Sequence, residues 1–135
     1  MSKVVLITGG SSGIGKSVGE FLTNKGFIVY GTSRNPQNIK NHPFKLVALD
    51  VNLNDSIVKA VAEVISNEGK LDILINNAGM GITGPIEETP TDEMRKVFDT
   101  NLFGAIDVMK AVLPQMRKQK SGLIINVTSI AGYMG

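Results

Sequence analysis

Residues Thr8 to Gly15 read Thr-Gly-Gly-Ser-Ser-Gly-Ile-Gly, and no other stretch restricts the possible folds of this chain as much. They follow the apolar run Val4-Val5-Leu6-Ile7 and precede a helical pattern, so the local order is strand, glycine turn, helix. Glycines admit positive φ and let a ligand approach more closely than a Cβ allows. The first turn of a helix adds unpaired N–H groups and a partial positive charge. Such a turn suits an anion, phosphate above all. The plain alternative is a βα turn without a ligand, and the crowding of Gly9, Gly13 and Gly15 at the mouth of an opening strand argues against it.

Two phosphate motifs overlap here. Gly9-x-x-x-Gly13-x-Gly15 is a dinucleotide-type turn, although Val18 stands where the last glycine of Gly-x-Gly-x-x-Gly would fall. In the other frame, Gly10-x-x-x-x-Gly15-Lys16-Ser17 satisfies the nucleotide-triphosphate loop pattern, and Asp50, ending the run Leu46-Val47-Ala48-Leu49, could supply its Mg²⁺-binding acid. That triphosphatase reading is the alternative.

Short apolar runs alternate with helical patterns: Val4 to Thr8, Phe27 to Thr32, Lys45 to Leu49, Leu71 to Ile75 and Leu123 to Thr128. They are apolar at nearly every position, as in strands buried on both faces, which predicts a parallel sheet. Right-handed crossovers then give an α/β doubly wound sheet of five strands in the order 3-2-1-4-5. Ile14, Val18, Phe21 and Leu22 mark the first helix, stopped at Gly26. Asn54 is the expected cap of a second helix, with Ile57, Val58, Val61, Val64 and Ile65 inward. Asn76 to Pro90 is too rich in Gly and Pro for regular structure and reads as a loop at a strand's carboxyl end. A long helix is predicted from Thr91 to Met116, bent or loosened by Pro114.

A chain of 135 residues reads as one domain, residues 1–135, able to bury a core without staples. With no cysteine it has neither disulfides nor a thiolate metal site, and no metal is expected. His42, between Asn41 and Pro43, is expected to be solvated. The net charge of +2 is small and mixed in sign, which gives no reason to expect nucleic acid as a partner. Apolar runs no longer than strands predict no membrane span and a cytoplasmic protein.

Thr8-Gly9-x-x-x-Gly13-Ile14-Gly15, Asp50-Val51, Asn76-Asn77-Ala78-Gly79, Asn101 and Ser129 occur in the order and approximate spacing of the short-chain dehydrogenase/reductase family, which the whole chain resembles. Asn-Asn-Ala-Gly directly after a fourth strand is the specific part, and the triphosphatase reading has no use for it. The resemblance implies a Rossmann-like cofactor domain and hydride transfer between a nicotinamide and a carbonyl or alcohol substrate. Ser11, Ser12 and the main chain of Gly13, Ile14 and Gly15 would hold the pyrophosphate or the adenosine ribose. Asp50 would meet the adenine amine, Val51 would pack on the ring, and Asn77, Ala78 and Gly79 would line a ribose. Ser129 would hydrogen-bond the reacting oxygen, and Asn101 would position water near a catalytic lysine.

Cofactor choice is read at the end of the second strand. An acid there holds the 2′-hydroxyl of NAD, whereas arginine accommodates the 2′-phosphate of NADP. This chain has Thr32-Ser33-Arg34, so Ser33 and Arg34 predict NADP over NAD.

One part of the family pattern is missing. The resemblance calls for Tyr-x-x-x-Lys about a dozen residues after Ser129, and the sequence ends at Gly135. Tyr133 is too close to Ser129 to serve; it lines the pocket's mouth or lies on the surface, and Tyr30 is structural. The expectation is therefore a fragment of a longer enzyme, inactive alone, with the last strand as an apolar sheet edge that favours a homo-oligomer. A noncatalytic nucleotide-binding protein is the further alternative.

Overall fold

The computed structural model describes residues 1–129, 131 and 133. Val4–Ile7 (β1) has no solvent face, as its unbroken apolar sequence requires, and it stands at the centre of a parallel sheet. Along the chain follow α1 (Gly13–Asn24), β2 (Ile28–Ser33), β3 (Lys45–Ala48), α2 (Asn54–Glu68), β4 (Ile73–Asn76), α3 (Thr91–Phe98), α4 (Ala105–Gln119) and β5 (Leu123–Asn126). The sheet order is β3-β2-β1-β4-β5, the doubly wound order that the alternation of runs predicts. Leu6 lies opposite Tyr30 on one side and Leu74 on the other.

Alternate residues of each strand serve opposite layers. Val4, Leu6 and Leu74 pack with Ile57, Val61 and Val64 of α2 and Val108, Val112 and Met116 of α4. Val5, Ile7, Val29 and Ile75 face Val18 and Leu22 of α1. Burying each such side chain stabilises the fold by about 1.5–3 kcal/mol. Tyr30 is structural, as expected: it is 1 % exposed, and its hydroxyl donates to Glu68 Oε1 at 2.7 Å, tying β2 to the end of α2.

Several local expectations are corrected. Ile14 and Phe21 are 67 % and 60 % exposed, because α1 turns Gly15 and Gly19 inward and lies close against the sheet. The space above Gly19 and Gly31 is taken by the Phe44 ring, which a Cβ at either glycine would strike. In α2, Ala60 is buried in place of Val58, and Asn54 is the first helical residue, with Leu53 at the cap position and no side-chain capping bond. The helix after Thr91 contains a π turn at Asp99–Gly104, and α4 continues past Pro114 to Gln119. The N–H that proline lacks would have met the carbonyl of exposed Lys110, which water can reach.

His42 is half-buried instead of fully solvated. Its ring meets Phe44 edge-on at 4.3 Å between centroids, and Nε2 is buried without a hydrogen-bond partner among the described residues. Burial pushes its imidazole pKa below the ordinary 6.5. Lys16 adds to that fall, whereas the Gly10 main chain and Glu20 oppose it.

Candidate functional site

The carboxyl ends of β1 to β4 surround one cavity of about 550 Å³, within the range of small-molecule sites. Gly9, Ser11 and Ser12 form the wall after β1, and Ser33 and Arg34 form the wall after β2. Asp50 and Val51 line it beyond β3, and Asn77, Ala78 and Gly79 beyond β4. A parallel sheet brings these segments together because all its strands end on the same side.

Three side chains hold the walls in place. Thr8 Oγ1 accepts the N–H groups of Asn77 and Ala78 at 2.9 and 3.0 Å, so the fourth strand's loop hangs on the first. Thr32 Oγ1 accepts the Gly9 N–H at 3.1 Å, which ties the glycine turn to β2. Asn77 Nδ2 donates to the carbonyls of Thr8 and Gly9 at 3.2 and 3.3 Å. Gly9 has φ +66°, and a Cβ there would lie 3.0 Å from Ala78 Cα, so both conformation and space require glycine.

Gly13, Ile14 and Gly15 form the first turn of α1 behind Ser12 and do not line the cavity. No side chain caps that helix end, which leaves its leading N–H groups available to an anion beside Ser11 and Ser12. An uncapped helix start on a wide cavity fits a dinucleotide's pyrophosphate. The triphosphate loop fits poorly: its frame needs Gly10 to Gly15 as a loop, whereas residues 13–15 are helical and Gly10 is buried against Gly31 Cα.

The Asp50 carboxylate accepts the Asn52 N–H at 2.9 Å through Oδ1, and the Asp50 N–H donates to Ser56 Oγ at 2.9 Å. This turn presents the carboxylate at the cavity wall. Asn101 does not line the cavity, but its side chain grips the loop behind it, accepting from Met80 N at 2.8 Å and donating to Met80 O at 2.7 Å. Ser129 lies beyond the end of β5; it is exposed, and its Oγ accepts the Ala131 N–H at 3.1 Å. Tyr133 is 94 % exposed and away from the cavity.

Sequence reasoning missed the cavity residues Met80, Asn52 and Thr100 and the buried Asn76. Asn76 Nδ2 donates to Asn126 Oδ1 at 2.9 Å and to the Ala105 carbonyl at 3.3 Å, joining β4, β5 and α4. It stands in register opposite Asn126 at the end of the neighbouring strand, so the buried amide of Asn76 finds its partner there.

The fold and the position of the cavity place the chain in the doubly wound α/β class. The family model for short chain dehydrogenase matches residues 3–135. A 3-ketodihydrosphingosine reductase of Bacteroides thetaiotaomicron is 47 % identical over 134 residues, which cover 98 % of this chain and 49 % of that protein. Among solved structures, a short-chain dehydrogenase from Streptomyces avermitilis superposes with a TM-score of 0.90 at 35 % identity, over 98 % of this chain and 51 % of its own. ElxO with NADP bound gives 0.88 at 34 % identity, over 100 % and 58 %. The chain belongs to the short-chain dehydrogenase/reductase family and spans about half the length of the curated relatives it matches.

Proposed function

We propose that these residues are the cofactor-binding part of a longer cytoplasmic oxidoreductase that transfers a hydride between NADP(H) and a small carbonyl or alcohol substrate. One observation carries the choice of cofactor: Ser33 and Arg34 stand where β2 reaches the cavity, and the sequence from Ile28 to Leu49 holds no Asp or Glu. A guanidinium there pairs with a 2′-phosphate, and an acid to hold a 2′-hydroxyl is lacking. The NADP bound to ElxO is consistent with this reading.

In this reading the α1 start with Ser11 and Ser12 binds the pyrophosphate, Asp50 and Val51 hold adenine, and Asn77, Ala78 and Gly79 line a ribose. The coenzyme supplies the hydride. Ser129 holds the reacting oxygen, and Asn101 fixes the loop at Met80 and orders water for a proton relay. Self-association through exposed apolar side chains, Phe98 and Phe103 near α3 or Leu123 and Ile125 on β5, belongs to the same proposal.

Titration calorimetry tests the cofactor. Charged hydrogen bonds contribute about 1.5–3 kcal/mol each, so NADP is expected to bind about tenfold to a hundredfold more tightly than NAD. Arg34→Ala is expected to remove that advantage and leave NAD affinity unchanged. Equal affinities in the unaltered protein would overturn the choice.

A further inference from the structure

The turn after β3 and the π turn at Asp99–Gly104 are joined by one side-chain pair. Asn52 Nδ2 donates to Thr100 Oγ1 at 3.1 Å, and the Thr100 hydroxyl donates to Asn52 Oδ1 at 3.3 Å. Among the described residues, no other hydrogen bond connects residues 49–53 with residues 98–104. Beside it, Gly104 packs so closely on Val51 that a Cβ would lie 2.9 Å from Val51 Cβ and 3.1 Å from its carbonyl oxygen. The two turns therefore touch through a polar pair and through bare backbone.

Each turn also carries a part of the cavity. On one side, Asp50 accepts the Asn52 N–H, so the side chain that reaches Thr100 grows from the same turn that aims the carboxylate. On the other, Thr100 precedes Asn101, whose amide holds both main-chain groups of Met80. A π turn has one residue more than the regular helix accommodates and holds its shape only through its surroundings. Together with Val51 and Met80, the Asn52–Thr100 pair also borders both the main cavity and a second one of about 360 Å³, lined by Lys96, Asp99 and Phe103. A threonine on a helix surface commonly bonds its own preceding turn. Here it reaches across 48 residues of sequence instead.

We propose that Asn52 and Thr100 are positioning residues that couple the adenine end of the cavity to Asn101. A nucleotide seated on Asp50 and Val51 stiffens the turn after β3, the pair passes that restraint to the π turn, and the Asn101 grip on Met80 tightens. The inference rests on the cofactor reading above, because it needs a nucleotide at Asp50. The coupling is a difference in free energy between two occupied states and is therefore reciprocal.

The probe is adenosine 2′,5′-bisphosphate, which carries the adenine end of the coenzyme and no nicotinamide. Its affinity is read by calorimetry, and exchange of the Met80 amide hydrogen, the one donated to Asn101, is read by NMR or mass spectrometry. In the unaltered protein the probe is expected to slow Met80 exchange about fivefold, the lower end of usual coupling factors. Thr100→Val, which keeps the shape and removes the hydroxyl, should lose the slowing when compared with the probe at saturation. Thr100→Ser should restore it. Equal slowing in the unaltered protein and in Thr100→Val would overturn the coupling alone. Failure of the unaltered protein to bind the probe would overturn the cofactor reading, and the coupling with it.

Discussion

The Thr8 hydroxyl oxygen accepts two consecutive main-chain N–H groups, those of Asn77 at 2.9 Å and Ala78 at 3.0 Å. Thr8 is 1 % exposed, so water cannot replace it at either donor. One side chain at the end of the first strand thus sets the position of a loop whose sequence lies 69 residues away.

Thr8→Val keeps the branched shape and deletes the acceptor. An unsatisfied buried donor costs about 1–3 kcal/mol, so with two of them the expected loss is about 2–6 kcal/mol. Urea unfolding followed by circular dichroism reads it as a lower midpoint with an unchanged slope. Thr8→Ser retains the oxygen and should lose much less. Equal losses for valine and serine would assign the effect to packing.

Two glycines of the same turn should respond differently to alanine. At Gly15 a Cβ would overlap the Gly9 carbonyl oxygen and lie 2.6 Å from Asn77 Nδ2, both of them fixed by hydrogen bonds. Overpacking against such neighbours is worth about 3 kcal/mol, and nucleotide binding should weaken as Gly9 is displaced. Gly13 has φ +54° and open space around its Cβ position, so only backbone strain opposes alanine, about 1 kcal/mol. Denaturation midpoints of Gly15→Ala and Gly13→Ala check the ranking.

Much of this architecture is legible in the residues. The five strands fall within a few positions of the apolar runs, and the sheet order follows from their alternation with helices. The inner face of α1 was hidden because periodicity gives weight to large apolar side chains, and what lies inward is Gly15 and Gly19, with Phe44 arriving from outside the helix to fill the space. The π turn was hidden for another reason. One additional residue shifts the register of all that follows, so a helical period counted on from Thr91 does not carry unbroken into α4. Asn52 and Thr100 have no local signature, since each is an ordinary polar surface residue until the fold brings them together.

Stability should fall on mild acidification. Burial holds the folded His42 pKa below 6.5, so between that lowered value and 6.5 the unfolded chain binds more protons than the folded one. Stability therefore decreases as pH drops through 6.5 and levels off below the folded pKa. A second loss should follow in more acid solution at Asp72. Desolvation there favours the protonated form, but the Val4 N–H, Lys70 and Lys3 outweigh it and hold the carboxyl below its ordinary 3.8. That contribution is present above 3.8 and is lost as pH falls through the folded value. His42→Gln should remove the first loss and keep the second, as read from thermal midpoints across the pH range.

The most direct test of the central claim is a crystal structure of the protein with NADP. The pyrophosphate is expected against the α1 start at Gly13, beside Ser11 and Ser12, with the 2′-phosphate at Arg34 and adenine between Asp50 and Val51. A pyrophosphate bound elsewhere, or ATP with magnesium seated on Gly10 to Ser17 when both nucleotides are offered, would contradict it.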